Sequence, residues 1–252
     1  MKRSALSMLT LLIAASLMLA ACGRDAIPST VRVATDATNP PFEMIDEQTG
    51  SVTGFDVDLM KTIAQKAGFN VEFENIDYNT LLANMAHCQY DAAVSAITIT
   101  PEIQQSMHVS DPYINVGQIV TVRKDNSDII GKDSLGGKTV GAEIGSVGAL
   151  ELQNISGAKE IDYDTIDLAF QDLLNGKIDA VVTDYPTALE TVAKHPAALK
   201  LAGDVFTNES YGIAVCSKEN TLLKKINETL AILKSDGTLQ QLEQKWLAGA
   251  SQ

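Results

Sequence analysis

The chain has 252 residues, 45% of them apolar, 20% charged and 5% aromatic, with one Trp and a formal charge of −13. That balance excludes disorder, collagen-like repeats and a disulfide-stapled miniprotein, and it suits one large domain or two lobes of roughly 100 residues each. Acids outnumber bases 32 to 19, which argues against a nucleic-acid partner held by counterion release, and the few aromatics argue against stacking of bases or sugars.

The N-terminus reads as an address. Lys2 and Arg3 precede an uncharged run over residues 4–21 that ends in Leu19-Ala20-Ala21-Cys22. A basic start, an apolar stretch and small residues before a cut site describe a secretory signal, here residues 1–21. Leu-Ala-Ala-Cys resembles the lipobox of bacterial lipoproteins, which implies lipidation of Cys22. A retained signal anchor and ordinary cleavage nearby are the alternatives. Removal of Lys2 and Arg3 would take the charge from −13 to −15. Residues 22–30 then form a tether, and a diacyl anchor would hold the protein where one acyl chain is marginal. The expected location is outside the cytoplasmic membrane, lipid-anchored at its outer face or in the periplasm.

The body alternates strands and helices. The β-branched run VRVAT ending at Thr35 predicts a strand. Phe55, Leu59, Ile63 and Ala67 recur every four residues, and Gly68 ends the pattern, as in a helix packed by one stripe and closed by glycine. Residues 71–76 read as a strand, 80–86 as a helix and 91–97 (DAAVSAI) as a strand. After Asp111-Pro112, the segments GQIVTVRK, KTVGAE, KEIDY and DAVVTD read as strands, with helices beginning at Val147, Thr165 and Thr187. A strand over 211–216 (YGIAVC) and helices over 221–233 and 238–247 close the chain. Helices inserted between strands imply parallel pairing and an α/β fold. Residues 88–95 echo residues 176–183, each an x-Asp-Ala run ending in a hydroxyl residue. Ligands in open α/β sheets sit beyond such strand ends, although buried strands also look alike.

Cys88 and Cys216 remain in the body. Neither sits in a C-x-x-C, so zinc is not indicated. An exported compartment permits a disulfide, yet the sequence leaves pairing open, and two buried free thiols are the default reading. His87, His108 and His195 are scattered and read as surface or helix-end residues.

Five motifs lie in one order: Ala34-Thr35-Asp36-Ala37-Thr38-Asn39-Pro40-Pro41-Phe42-Glu43, Gly54-Phe55-Asp56-Val57-Asp58-Leu59, Ile97-Thr98-Ile99-Thr100-Pro101-Glu102, Ser110-Asp111-Pro112-Tyr113 and Tyr211-Gly212-Ile213-Ala214-Val215. Together they resemble the polar-amino-acid family of bacterial solute-binding proteins that serve ABC importers. The resemblance implies a two-lobe periplasmic-binding-protein-like fold of type II. Lobe 1 would be residues 31–115 and 210–252, lobe 2 residues 116–209, joined by two hinge strands. It implies a monomer that traps an amino acid or amino-acid-like solute by clam-shell closure and delivers it to a permease and ATPase. No cofactor, metal or nucleic acid is implied.

By the same resemblance, Asp184 receives the ligand α-ammonium; capping of the helix that follows is the alternative. Asp36 lies near the ligand side chain or else caps a loop, and Tyr78 covers the ligand's aliphatic part or else belongs to the core. Ser95, Ala96, Ile97 and Thr98 are the lobe-1 segment that meets a carboxylate. Ser146 and Val147, after Gly145, offer N–H groups at a helix start. Asn39 and Glu143 complete the set. The family's Thr-x-x-Arg, whose guanidinium clamps a carboxylate, is here Thr100-Pro101-Glu102-Ile103, so Ile103 replaces the base. Three acids and no identified base imply a ligand that is cationic or lacks a free carboxylate. Two rivals remain. A cyclohexadienyl dehydratase-like enzyme would need an acid where Thr187 stands, and a sensory module usually continues into a membrane span.

Overall fold

The computed structural model describes residues 27–247; the signal segment, Cys22 and most of the tether lie outside them. The chain begins with β1 (Thr30–Thr35), three short strands β2 (Thr38–Asn39), β3 (Glu43–Ile45) and β4 (Val52–Thr53), and helix α1 (Phe55–Ala67). Then come β5 (Asn70–Asn75), α2 (Tyr78–Ala86), β6 (Ala92–Ala93), α3 (Pro101–Ser106) and β7 (His108–Val109). A connecting strand β8 (Ile114–Val116) leads to β9 (Gln118–Arg123), β10 (Thr139–Glu143), α4 (Val147–Gln153) and β11 (Lys159–Tyr163). These are followed by α5 (Ile166–Leu174), β12 (Ala180–Asp184), α6 (Tyr185–Lys194) and β13 (Leu199–Ala202). The return strand β14 (Glu209–Tyr211) leads to β15 (Ala214–Val215), α7 (Asn220–Ser235) and α8 (Thr238–Trp246).

Two five-stranded sheets result, ordered β5-β1-β6-β15-β7 and β11-β10-β12-β9-β13. They share one plan. In the first, β1 pairs parallel with β5 and β6, and β15 pairs antiparallel with β6 and β7. In the second, β10 pairs parallel with β11 and β12, and β9 pairs antiparallel with β12 and β13. The expectation of parallel pairing therefore holds only for the helix-linked strands. The antiparallel members β9 and β15 each follow directly from the β8–β14 connection, with no crossover helix to reverse the chain. The echo between residues 88–95 and 176–183 falls on β6 and β12, which hold equivalent places in the two plans.

Each sheet is covered on both faces, as side chains alternate along a strand. Val31 and Val33 of β1 join the cluster under α1, whereas Ala34 joins the opposite one with Leu81 and Met85 of α2. In the second sheet Ala180 and Val182 face one cluster and Val181 the other. On α1, Leu59, Met60 and Ile63 are fully buried, each contributing about 1.5–3 kcal/mol. The helix follows Gly54, where φ is 131° and a Cβ would meet the Phe42 carbonyl oxygen at 2.1 Å. It ends at Gly68 in the left-handed conformation, as its apolar period predicts.

Three sequence expectations are corrected. The strand over 91–97 shrinks to Ala92–Ala93, and Ala96 takes φ 46°, a left-handed conformation that extended pairing does not allow. The strand over 211–216 divides: Tyr211 pairs with Ile114, and Ala214 pairs with Ala93. Gly212 lies between, where a Cβ would meet Val109 Cγ1 at 2.5 Å. Finally, Cys88 and Cys216 are not free thiols but a disulfide, with Cα atoms 5.0 Å apart. Pairing of β15 with β6 brings them together, since the Cys216 N–H donates to the Asp91 carbonyl at 3.0 Å.

Candidate ligand-binding cleft

The carboxyl ends of β1 and β6 face those of β10 and β12 across a cleft of about 470 Å³, counted with the part open to solvent. This is where an open α/β sheet presents groups that cannot be buried within it. Asp36 follows β1 and is nearly buried, at 5% exposure. Thr38 Oγ1 donates to its Oδ1 at 2.9 Å and the Tyr78 N–H to its Oδ2 at 2.9 Å. Its own N–H donates to Ser95 Oγ at 3.0 Å, which ties the ends of β1 and β6 together. Burial pushes its pKa up, more than those hydrogen bonds lower it.

Glu143 ends β10, the counterpart of β1. The Ile166 N–H at the start of α5 donates to Glu143 Oε2 at 3.2 Å. Burial, and then the Asp36 charge across the cleft, push this carboxyl up to about 8. Asp184 ends β12. Gln118 Nε2 donates to Asp184 Oδ1 at 2.8 Å and also to Glu209 Oε2 at 3.3 Å. Burial, with Glu209 adding to it, raises Asp184 to about 7. The Asp184 side chain makes no capping bond to α6, so it remains turned to the cleft.

A fourth acid, Glu43, lies in the floor. It is fully buried, and no donor reaches either of its oxygens. Beside it is Asp56, also fully buried, whose Oδ2 accepts from the Ala96 N–H at 2.8 Å and from the Tyr113 hydroxyl at 2.9 Å. Two adjacent carboxyls hydrogen-bond only by sharing a proton. Burial and the Asp56 charge hold Glu43 well above the ordinary range, and burial lifts Asp56 to about 6.

The remaining walls are neutral. Tyr78 opens α2 and faces the four acids, so burial and their charges raise its hydroxyl pKa. Ser95, Ala96 and Thr98 line the first-sheet side, but the Ala96 N–H is already engaged by Asp56. Ser146 caps α4, its Oγ accepting from the Ala149 N–H at 3.2 Å, and Val147 stands beside it. Asn39 Oδ1 accepts from Thr187 Oγ1 at 2.8 Å, a direct bond from one side of the cleft to the other.

Of the twelve positions singled out for the ligand, ten line the cleft. Ile97 does not; it is fully buried in the cluster shared by β1 and α2. Ile103 does not either; it packs against that cluster from α3. Sequence reasoning missed Thr38 and Glu43 on the walls, and Gln118 behind Asp184; Thr183, the hydroxyl that ends the echoed run, also lines the cleft. Among the lining residues there is no Lys, Arg or His. Among the described residues no group of His, Cys, Asp and Glu is arranged to hold a metal ion, and no helix is long and apolar enough to cross a membrane.

Residues 31–249 match the family model of bacterial extracellular solute-binding proteins, family 3. The chain is 30% identical over 247 residues to a probable amino-acid-binding protein, YxeM, of Bacillus subtilis, with 94% of each chain covered. It is 32% identical over 219 residues to the L-cystine-binding protein TcyJ of Escherichia coli, covering 86% of this chain and 82% of that one. Among solved structures, an ancestral arginine-binding protein bound to arginine superposes with a TM-score of 0.83 at 39% identity, over 88% of this chain and 99% of its own. The same ancestral protein has also been solved bound to glutamine.

Proposed function

Because the chain belongs to the bacterial extracellular solute-binding proteins of family 3, we propose that it captures a cationic amino acid or related amine between two lobes and delivers it to an ABC importer. One observation carries the ligand class: Asp36, Glu143 and Asp184 face the cleft, and no basic side chain lines it. Buried carboxylates without a countercharge are costly until a cation enters. The arginine-bound relative supports the same class.

In this reading Asp184, aimed by Gln118, takes the ligand ammonium through a charge-assisted hydrogen bond. Tyr78 covers the aliphatic stem. Asn39, Ser95, Thr98 and Ser146 supply neutral polar contacts, while Ala96 and Val147 shape the walls. Lobe 1 comprises residues 31–115 and 210–252 and lobe 2 residues 116–209, hinged where β8 pairs with β14. A ligand touching both lobes favours the closed form and shifts the population toward it, so a permease can tell loaded from empty protein by shape. Lipidation at Cys22 would keep the exported monomer beside that permease. A dehydratase-like activity finds no support in the cleft: Thr187 is buried and bonded to Asn39, not presented as an acid.

A thermal-shift panel tests the reading. A millimolar ligand over a micromolar site stabilises by about 4 kcal/mol, so basic amino acids and amines are expected to raise the melting temperature clearly. Stabilisation by an acidic amino acid and by no basic one would overturn it.

A further inference from the structure

We propose that the cleft recognises its ligand by two positive ends and needs no ligand carboxylate: one end sits at Asp184, and the other is gripped between Asp36 and Glu143 above Glu43. The ligand class is then the organic diamines, guanidino amines included. This deepens the reading above and rests on it.

Four observations carry the inference. First, Asp36 and Glu143 sit at the carboxyl ends of β1 and β10, the equivalent strands of the two sheets. Closing one sheet upon the other therefore opposes acid to acid at one end of the cleft. Like charges so placed repel, unless a cation lies between them. Second, both are fixed in place from behind, Asp36 by Thr38 and the Tyr78 N–H, Glu143 by the Ile166 N–H on Oε2 alone. Third, Glu43 is fully buried, lines the same cleft and has no donor on either oxygen. No donor of the lining reaches them, so a ligand N–H can. Fourth, the means of holding an anion are weak. The walls carry no base, the Ala96 N–H is bound to Asp56, and what remains is neutral: hydroxyls, the Asn39 amide and the backbone at the start of α4. An amino-acid carboxylate thus gains little on entry and meets acids nearby.

Calorimetric titration of the full-length protein with arginine, its decarboxylated analogue agmatine, 1,4-diaminobutane and glutamine tests this. Agmatine is expected to bind within tenfold of arginine or more tightly, and glutamine to bind more weakly than either. Glu143→Gln, which can still accept from the Ile166 N–H, is expected to weaken agmatine at least tenfold with an unchanged fold by circular dichroism. Arginine binding with agmatine more than tenfold weaker would overturn the inference and leave the cationic amino acid in place. An unchanged agmatine affinity in Glu143→Gln would overturn the grip at Glu143. Binding of none of the cations would remove the underlying reading, and this one with it.

Discussion

Asp184 depends on a neighbour that the cleft does not display. Gln118 bonds it from behind, beside the Tyr211 hydroxyl, and without the Gln118 donor less would offset the Glu209 charge. Asp184→Asn is expected to weaken the ligand by about 1.5–3 kcal/mol, roughly ten- to hundredfold, because a charge-assisted bond is lost. Gln118→Ala should lower affinity in the same direction by a smaller factor, and titration calorimetry reads both. Titration adds a second check. Glu143 and Asp184 are raised to about 8 and about 7, so the ligand-free folded state holds protons that the unfolded chain releases near its ordinary carboxyl range. That stability is fully present below the ordinary carboxyl range, falls progressively as pH rises from there, and is gone once pH passes about 7 for Asp184 and about 8 for Glu143. The ligand-free protein is therefore expected to melt at a lower temperature at pH 8 than at pH 5. Cation affinity runs the other way, rising over that window as the carboxyls ionise. A melting series with and without ligand checks both slopes.

Among the elements, the long periodic ones were legible before the structure. The stripe of Phe55, Leu59 and Ile63 with Gly68 gave α1, and the β-branched runs gave β1, β10 and β12. The short strands β2, β3 and β4 were not legible, since two or three residues carry no measurable alternation. Nor was the split at Gly212, where two different partners compete for one apolar run. The site was legible where strands end in Asp36, Glu143 and Asp184. Glu43 was hidden because an acid in a three-residue strand carries no mark of burial. The side chain of Ile97 turns into the core, and its pattern does not say which way a residue beside a left-handed Ala96 points. Pairing of Cys88 with Cys216 required the β6–β15 register. The bond ties the end of α2 to β15 across 128 residues of sequence, and its removal by paired Cys→Ser changes is expected to cost about 2–4 kcal/mol, read by chemical denaturation under oxidising conditions.

At the scale of the molecule, Gly117 sits where the two connecting segments pass. A Cβ there would meet the Thr207 carbonyl oxygen at 2.3 Å and Val205 Cγ1 at 2.5 Å. Gly117→Ala is expected to push the segments apart, cost about 1–3 kcal/mol, and leave the ligand-induced decrease in radius of gyration smaller by small-angle scattering. The same doubled connection governs how the polypeptide comes to its final form. The first sheet is left incomplete at Val109, and β15 fills the space between β6 and β7 only when Ala214 arrives. The second sheet needs nothing from outside the stretch between. A nascent chain emerging N-terminus first would thus complete its middle before its beginning, holding an open slot in the earlier half until the tail returns. Nascent chains arrested ahead of β15 should show amide protection in β10 and β12 while β6 and β7, which lack the strand between them, still exchange.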